Sequence, residues 1–361
     1  MNKVQTLLLY NFALSFAILL FGNTIFIIVD SYAKTETKDD DDENKKDNKK
    51  KKSKIKFLDD SNVQSQYIQK FDSNGNFITS WGIKGKGDSE FLHPHGIAID
   101  NNDRIYATDE LKQDIQVFNT NGELLDRWNA KEASKKIEGL YVDSDGFVYV
   151  VDYGESTILK YSNDGELIKK WGKTGNNTGE LRRAFGIEGI DEQDLLYITE
   201  KQNNRISVFN SNGNFINTFG SYGTGDGQFR HLHDIAIHPH TKHLYVTEQD
   251  NGNVQVLTSN GEFVTKWGSV GSEPGQFKEP HGIAIDSQGD VYVVDSQNSR
   301  IQKFTSEGKL IKIFGKNGLG KGEFLLIHDI AIDSNDNLYI LDSRDSHKFM
   351  KSVTPFLTKA R

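Results

Sequence analysis

Four histidines and a carboxylate are the residues with which this chain could do chemistry. His95, His233, His281 and His328, together with Glu138, stand at one place in a sequence pattern that returns every 43 to 48 residues, and Gly186 fills the remaining copy. Imidazole and carboxylate side chains together suit Zn or Fe(II), with a water left in an open position. If six copies close into a ring, Glu138, His233 and His328 come from every second copy, about 120° apart, and form a three-ligand metal set. His95 and His281 belong to the other alternate set, where Gly186 offers no third ligand, and are read as ligand-binding positions. The competing role for all of these side chains is hydrogen bonding to backbone groups between neighbouring copies. The pairs His93-x-His95 and His231-x-His233 favour ligation, because residues i and i+2 of a strand share a face, although Pro94 lies inside the first pair.

Other chemistry is thinly represented. Asp109, Asp152, Glu200, Glu248, Asp295 and Asp342 recur once per copy at the end of an apolar run. Oxygen ligands in number suggest calcium, but an acid repeated in every copy is better read as serving its own turn, capping backbone N–H groups or pairing with Arg205 and Arg300. The loops Gly223 to Gly227 and Gly318 to Gly322 lead into Phe229 and Phe324 rather than into a helix, so they are connections and not phosphate cradles. There is no G-x-S-x-G elbow and no HExxH helix. Asn176-Asn177-Thr178 is a glycosylation sequon should the chain be exported. Cysteine is absent, which removes disulfides and thiol nucleophiles, and the net charge of −8 with a pI near 5.7 argues against a nucleic-acid partner.

The elements that must position these residues are strands. Pro280-His281-Gly282-Ile283-Ala284-Ile285-Asp286 recurs at Pro94 to Asp100, and in weaker form at Ile137 to Asp143, Phe185 to Asp191, Leu232 to His238 and Ile327 to Asp333. This is the period of a four-stranded propeller blade. A second strand follows each copy, then a third, then a turn and a fourth strand ending in Trp or Phe. The turns Asn74-Gly75, Asn121-Gly122, Asp164-Gly165, Asn212-Gly213 and Asn260-Gly261 fit a two-residue hairpin with positive φ, and Glu307-Gly308 fits least. The first turn precedes the first copy and none follows Asp342, so residues 66 to 82 are expected to complete the sixth blade from the N-terminal end. The chain is therefore an all-β, six-bladed β-propeller, its ring closed by N-terminal hairpin strands.

These residues resemble the NHL-repeat family, whose blades read G-x-F-x-x-P-x-G-I-A-V-D, then Y-V-x-D, then N-x-R-I-Q-x-F. The resemblance covers residues 66 to 345, is strongest at Gly275 to Gly315, and is weakest in blade 2, which lacks the Gly-rich lead-in and its aromatic. The peptidyl-hydroxyglycine lyases look similar, being six-bladed propellers of this kind that bind zinc through three channel histidines. His233-Asp234 and His328-Asp329 match their His-Asp pattern, while Glu138 stands where the third histidine is expected and no counterpart of the catalytic Tyr and Arg can be placed.

Lys3 and the apolar stretch from Leu7 to Val29 address a membrane. Ser31-Tyr32-Ala33 offers a small-x-small cleavage pattern, whereas the length also suits a retained transmembrane anchor. The expected organisation is a signal peptide or anchor over 1–33, a charged linker over 34–60, the propeller over 61–349 and a tail over 350–361. Two readings follow. One is an extracellular or cell-surface binding scaffold for a protein, peptide or glycan; the other is a metal-dependent lyase or hydrolase.

Overall fold

The computed structural model describes residues 14–21, 24–31, 67–134 and 136–343, and it falls into two units, Met1–Asn62 and Val63–Arg361. The second unit is a six-bladed β-propeller. Blade 1 is built from Pro94–Ile99, Ile105–Asp109, Asp114–Phe118 and Leu124–Asn129, and blades 2 to 5 repeat that antiparallel order from innermost to outermost strand. Blade 6 joins the two ends of the unit. Ile327–Ile332 and Leu338–Asp342 supply its inner pair, and Ile68–Phe71 and Phe77–Trp81 its outer pair, in the order expected. The register Ile68↔Leu341 to Phe71↔Leu338 makes the join, and the Asp342 N–H extends it by donating to the Tyr67 carbonyl at 2.8 Å.

The core lies between blades, which explains why the second strands read as unbroken apolar runs: both of their faces are covered. At the closing seam Ile68, Trp81, Tyr339 and Leu341 of blade 6 pack with Ile97, Ile105, Ala107 and Phe118 of blade 1. Each second strand also contributes a buried tyrosine, Tyr106, Tyr149, Tyr197, Tyr245, Tyr292 and Tyr339. Burying one such ring stabilises by about 1.5–3 kcal/mol, and each hydroxyl finds an acceptor, as Tyr339 does on Asp333 at 2.9 Å. Hydroxyls at the ends of second strands stitch one blade to the innermost strand of the next. Thr108 donates to the Glu138 carbonyl, Thr199 to that of His233, Thr247 to that of His281, and Ser296 to that of Ile327.

The six strand-ending acids serve their own blades. Asp342 accepts from the backbone N–H of Leu325 and Leu326, while Glu200 and Asp295 hold Arg205 and Arg300, each at 2.6 Å. The outer hairpins differ from the expected two-residue turns. In each, a three-residue loop ends on the glycine, as where Asp72 N–H donates to Asn76 O and Gly75 N–H to Asp72 O. Only the glycine takes positive φ in this geometry, so Glu307 is as acceptable before Gly308 as asparagine is elsewhere. The glycine is required on a second count: a Cβ at Gly308 would meet the Trp267 ring at 2.5 Å.

Blade 2 is the exception among the lead-ins. Phe91, Leu181, Phe229, Phe277 and Phe324 plug the lead-ins of the other five blades, all fully buried, whereas blade 2 has Ala130 and Ala133 in that region. Ser134 there donates backbone N–H and hydroxyl to Asp152.

In the first unit Leu14–Phe21 and Thr24–Ser31 pair as an antiparallel hairpin, with Phe21 opposite Thr24. The sequence leads one to expect a cleaved signal peptide or a spanning helix there. Its β-branched and aromatic run on either side of Gly22-Asn23 also suits a hairpin. Among the described residues no helix is long and apolar enough to cross a membrane. The linker over 34–60 and the tail over 350–361 lie outside the described residues.

Candidate functional site: the channel mouth

Six register-equivalent pairs define the mouth. Pro94, Ile137, Ala184, Leu232, Pro280 and Ile327 each lie opposite their blade's strand-ending acid. The next residue of each innermost strand is therefore His95, Glu138, Phe185, His233, His281 or His328. Blade 3 corrects the sequence reading, because Phe185 and not Gly186 is the equivalent residue. Its innermost strand, Ala184–Ile190, has seven residues where the others have six, so counting back from Asp191 lands one position late.

Neighbours around the mouth touch in succession. The rings of His95 and His328 lie 4.1 Å apart, His328 and His281 5.6 Å, His281 and His233 4.1 Å and nearly parallel, and His233 and Phe185 4.0 Å. At the other end of this series Glu138 forms an ion pair with Nδ1 of His95. The expected set of Glu138, His233 and His328 is thus drawn to three different neighbours. Among the described residues, the three whose ligand atoms lie within 4.8 Å of one another are His93, His95 and His328. His93 Nδ1 is 3.0 Å from His95 Nε2, with their rings 4.6 Å apart, so Pro94 does not separate that pair. The pair of His231 and His233 behaves differently: His231 takes positive φ and turns out to Asp250 at 2.9 Å.

Electrostatics divides the mouth into layers. Burial, reinforced by the charges of His95, His281, His93 and His233, pushes His328 well below the ordinary imidazole value, so it is neutral at pH 7. Glu110 accepts from His93 at 2.8 Å; burial opposes its ionisation, but that hydrogen bond and the His95 charge hold it below the usual carboxylate range. Deeper in, Asp234 and Asp329 replace the glycine that follows the mouth residue in the other blades. Each reaches across a seam, Asp234 accepting from Ile283 N–H at 3.1 Å and Asp329 from Ile97 N–H at 2.9 Å. Burial pushes Asp234 up to about 7 and Glu188 up to about 8, and Asp329 is raised well above the usual range by burial and then by Asp234. The space inside this ring is a cavity of about 20 Å³, room for about one water. A larger ligand must therefore lie on the face and not in the channel.

Beside the mouth, over blades 2 and 3, lies an open cleft of about 360 Å³ lined by Lys136, Tyr153, Ser156, Arg182, Arg183 and Gln202. Arg183 donates to the Tyr153 hydroxyl at 2.8 Å, and the Tyr153 ring meets Phe185 edge-on at 5.7 Å, which joins cleft to mouth. Among the described residues Lys136, Arg182 and Arg183 form no salt bridge. Sequence reasoning missed this cleft because Lys136 lies a whole repeat before the adjacent Arg182 and Arg183; the signal it offered was the reduced lead-in of blade 2.

Fold and mouth define a six-bladed β-propeller, and a six-bladed β-propeller family model matches residues 23–131 and 186–241. The propeller is of the NHL type, with an NHL repeat matched at residues 277–304. No curated protein matches the chain. Among solved structures, a protein of unknown function from Bacteroides thetaiotaomicron is 16% identical with a TM-score of 0.58, over 77% of this chain and 74% of that one. A catalytically inactive virginiamycin B lyase from Staphylococcus aureus, solved with quinupristin, is 17% identical with a TM-score of 0.53, over 76% and 81%. A gluconolactonase from Xanthomonas campestris is 12% identical with a TM-score of 0.52, over 79% and 93%. At these identities the likeness is one of fold.

Proposed function

We propose that this chain is an exported, surface-displayed binding scaffold whose mouth face takes a carboxylate-bearing segment of a protein partner. The observation that carries the reading is the cleft at Lys136, Arg182 and Arg183: three cations that form no salt bridge among the described residues, clustered on a chain of net charge −8. Guanidinium groups bind carboxylates in a fixed fork, each charge-assisted hydrogen bond contributing about 1.5–3 kcal/mol. Tyr153 and Phe185 give the same ligand an apolar wall. The narrow channel keeps it on the face. Export and surface display rest on the apolar N-terminal segment and the charged stretch after it.

The test is titration of the purified chain with an acidic peptide, comparing the parent with Arg183→Gly and Lys136→Ala. Binding weakened about tenfold or more by either substitution is expected. Absence of binding at millimolar peptide, or binding that both variants retain, would overturn the reading. Capture of uronate oligosaccharides instead, through the same residues, would make the partner a glycan.

A second reading, a metal-dependent lyase or hydrolase, is favoured by the buried histidines at the mouth. Three imidazoles and a carboxylate fit Zn or Fe(II) by donor type, and such an ion would polarise a carbonyl or a bound water. Turnover that disappears with chelator would establish it.

A further inference from the structure

The seam where blade 6 meets blade 1 holds a group that neither the ring contacts nor the cleft explains. One ring nitrogen from each of His93, His95 and His328 lies within 4.8 Å of the others. Tetrahedral coordination at a metal–nitrogen distance of about 2.1 Å needs ligand atoms roughly 3.4 Å apart, and His93 Nδ1 and His95 Nε2 already approach to 3.0 Å. Small side-chain rotations close the rest.

Two of the three rings, those of His95 and His328, are held as metal-binding histidines require. Such a histidine holds its second nitrogen on a carboxylate or other polar partner, which fixes the tautomer and turns the ring. His95 meets Glu138 through Nδ1, leaving Nε2 toward His93. His328 meets the Ser343 hydroxyl through Nε2 at 3.0 Å, and its Nδ1 is buried with no hydrogen-bond partner. A buried nitrogen without a partner is costly, and an ion bound here would supply that partner. Glu110 brings an anionic oxygen to the same place, with Oε2 2.8 Å from His93 Nδ1 and 3.6 Å from His95 Nε2.

We infer that His93, His95 and His328, with Glu110 as the fourth donor, form a site for a divalent transition metal across the closing seam of the propeller. Nitrogen donors select zinc, iron or cobalt over calcium or magnesium. The set differs from one drawn from alternate blades, because blade 1 supplies two ligands at i and i+2 and blade 6 supplies the third. It is also independent of the anionic-partner reading, whose cleft lies over blades 2 and 3. An ion here would pin together the two blades that join the ends of the ring, and it would stabilise the fold whether or not any turnover occurs.

The experiment strips the full chain with chelator and titrates it with Zn²⁺, and with Co²⁺ as a visible-absorption probe of ligand type and geometry. His93→Ala is the decisive variant, since His93 is 21% exposed and its loss leaves the core intact; His233→Ala, a buried mouth histidine outside the set, is the control. One equivalent of Zn²⁺ at micromolar affinity, a rise in Tm, a tetrahedral Co²⁺ spectrum, at least a hundredfold weaker binding in His93→Ala and unchanged binding in His233→Ala are expected. No stoichiometric binding would overturn the inference. So would loss of binding in His233→Ala with retention in His93→Ala, which would place the ion among alternate blades. Peptide titrations on the same samples read the cleft separately.

Discussion

Blades 6 and 1 meet at a buried seam of imidazoles and carboxylates; blades 2 and 3 meet at an open cleft of lysine and arginine. The two regions are built from the same positions of the repeat. His93, Lys136 and Arg183 each precede the first residue of an innermost strand, and His95, Glu138 and Phe185 each follow it. At the seam both positions carry groups that answer one another, so the side chains fold inward and are covered. Over blades 2 and 3 the first position carries long cations that form no salt bridge among the described residues, and the lead-in of blade 2 is short, so the space stays open. A propeller ring thus supplies equivalent addresses, and side-chain identity at two of them decides whether an address becomes a closed donor cluster or an open cationic cleft.

The largest effect is expected where the comparison depends on closure itself. Ile68 lies in a strand paired on both sides, to Leu341 and to Trp81. Ile68→Pro removes a ladder hydrogen bond, leaves its buried acceptor unpaired at a cost of about 1–3 kcal/mol, and takes a side chain out of the core, seen as a sharp fall in Tm and the loss of a single cooperative transition. If the variant melts like the parent, the ring does not depend on this join.

The layer of acids beneath the histidines comes next. Asp234 stays protonated in the fold up to about pH 7, whereas in the unfolded chain it ionises near 3.8. Its contribution is fully present below about pH 4 and is lost as pH rises through 7. Asp234→Asn cannot ionise, so it should be more stable than the parent at pH 8, with the difference vanishing near pH 4. Thermal melts at the two pH values check this, and equal differences at both would contradict it.

On the open side the expected effects fall on binding. Arg183 sits at φ 52°, a conformation glycine adopts at no steric cost, so Arg183→Gly should hold or raise Tm while weakening an acidic peptide about tenfold. The smallest effect belongs far from both regions: Glu307→Asn should change stability by less than about 0.5 kcal/mol, because the loop places positive φ on Gly308 alone.

Most of the architecture was legible because every blade repeats its punctuation. The Gly turns, the acid ending each second strand and the unmatched first hairpin gave six blades and the closure. The mouth was legible only as positions. An extra residue in blade 3 hid Phe185 behind Gly186, since a period cannot show where an insertion falls within a strand. The pairing of Glu138 with His95 was hidden too, because it depends on contact between adjacent blades while the sequence argument set alternate blades in a tripod. His93 was visible as half of His93-x-His95, but its convergence with His328 crosses the closing seam, a sequence separation no local pattern reports.

Separate sites at seam and cleft must respond separately in a crossed titration: Zn²⁺ and an acidic peptide, each measured on His93→Ala and on Arg183→Gly. The prediction is that His93→Ala loses zinc and keeps the peptide while Arg183→Gly keeps zinc and loses the peptide. If one substitution abolishes both ligands, or neither substitution affects either, the mouth does not divide in this way.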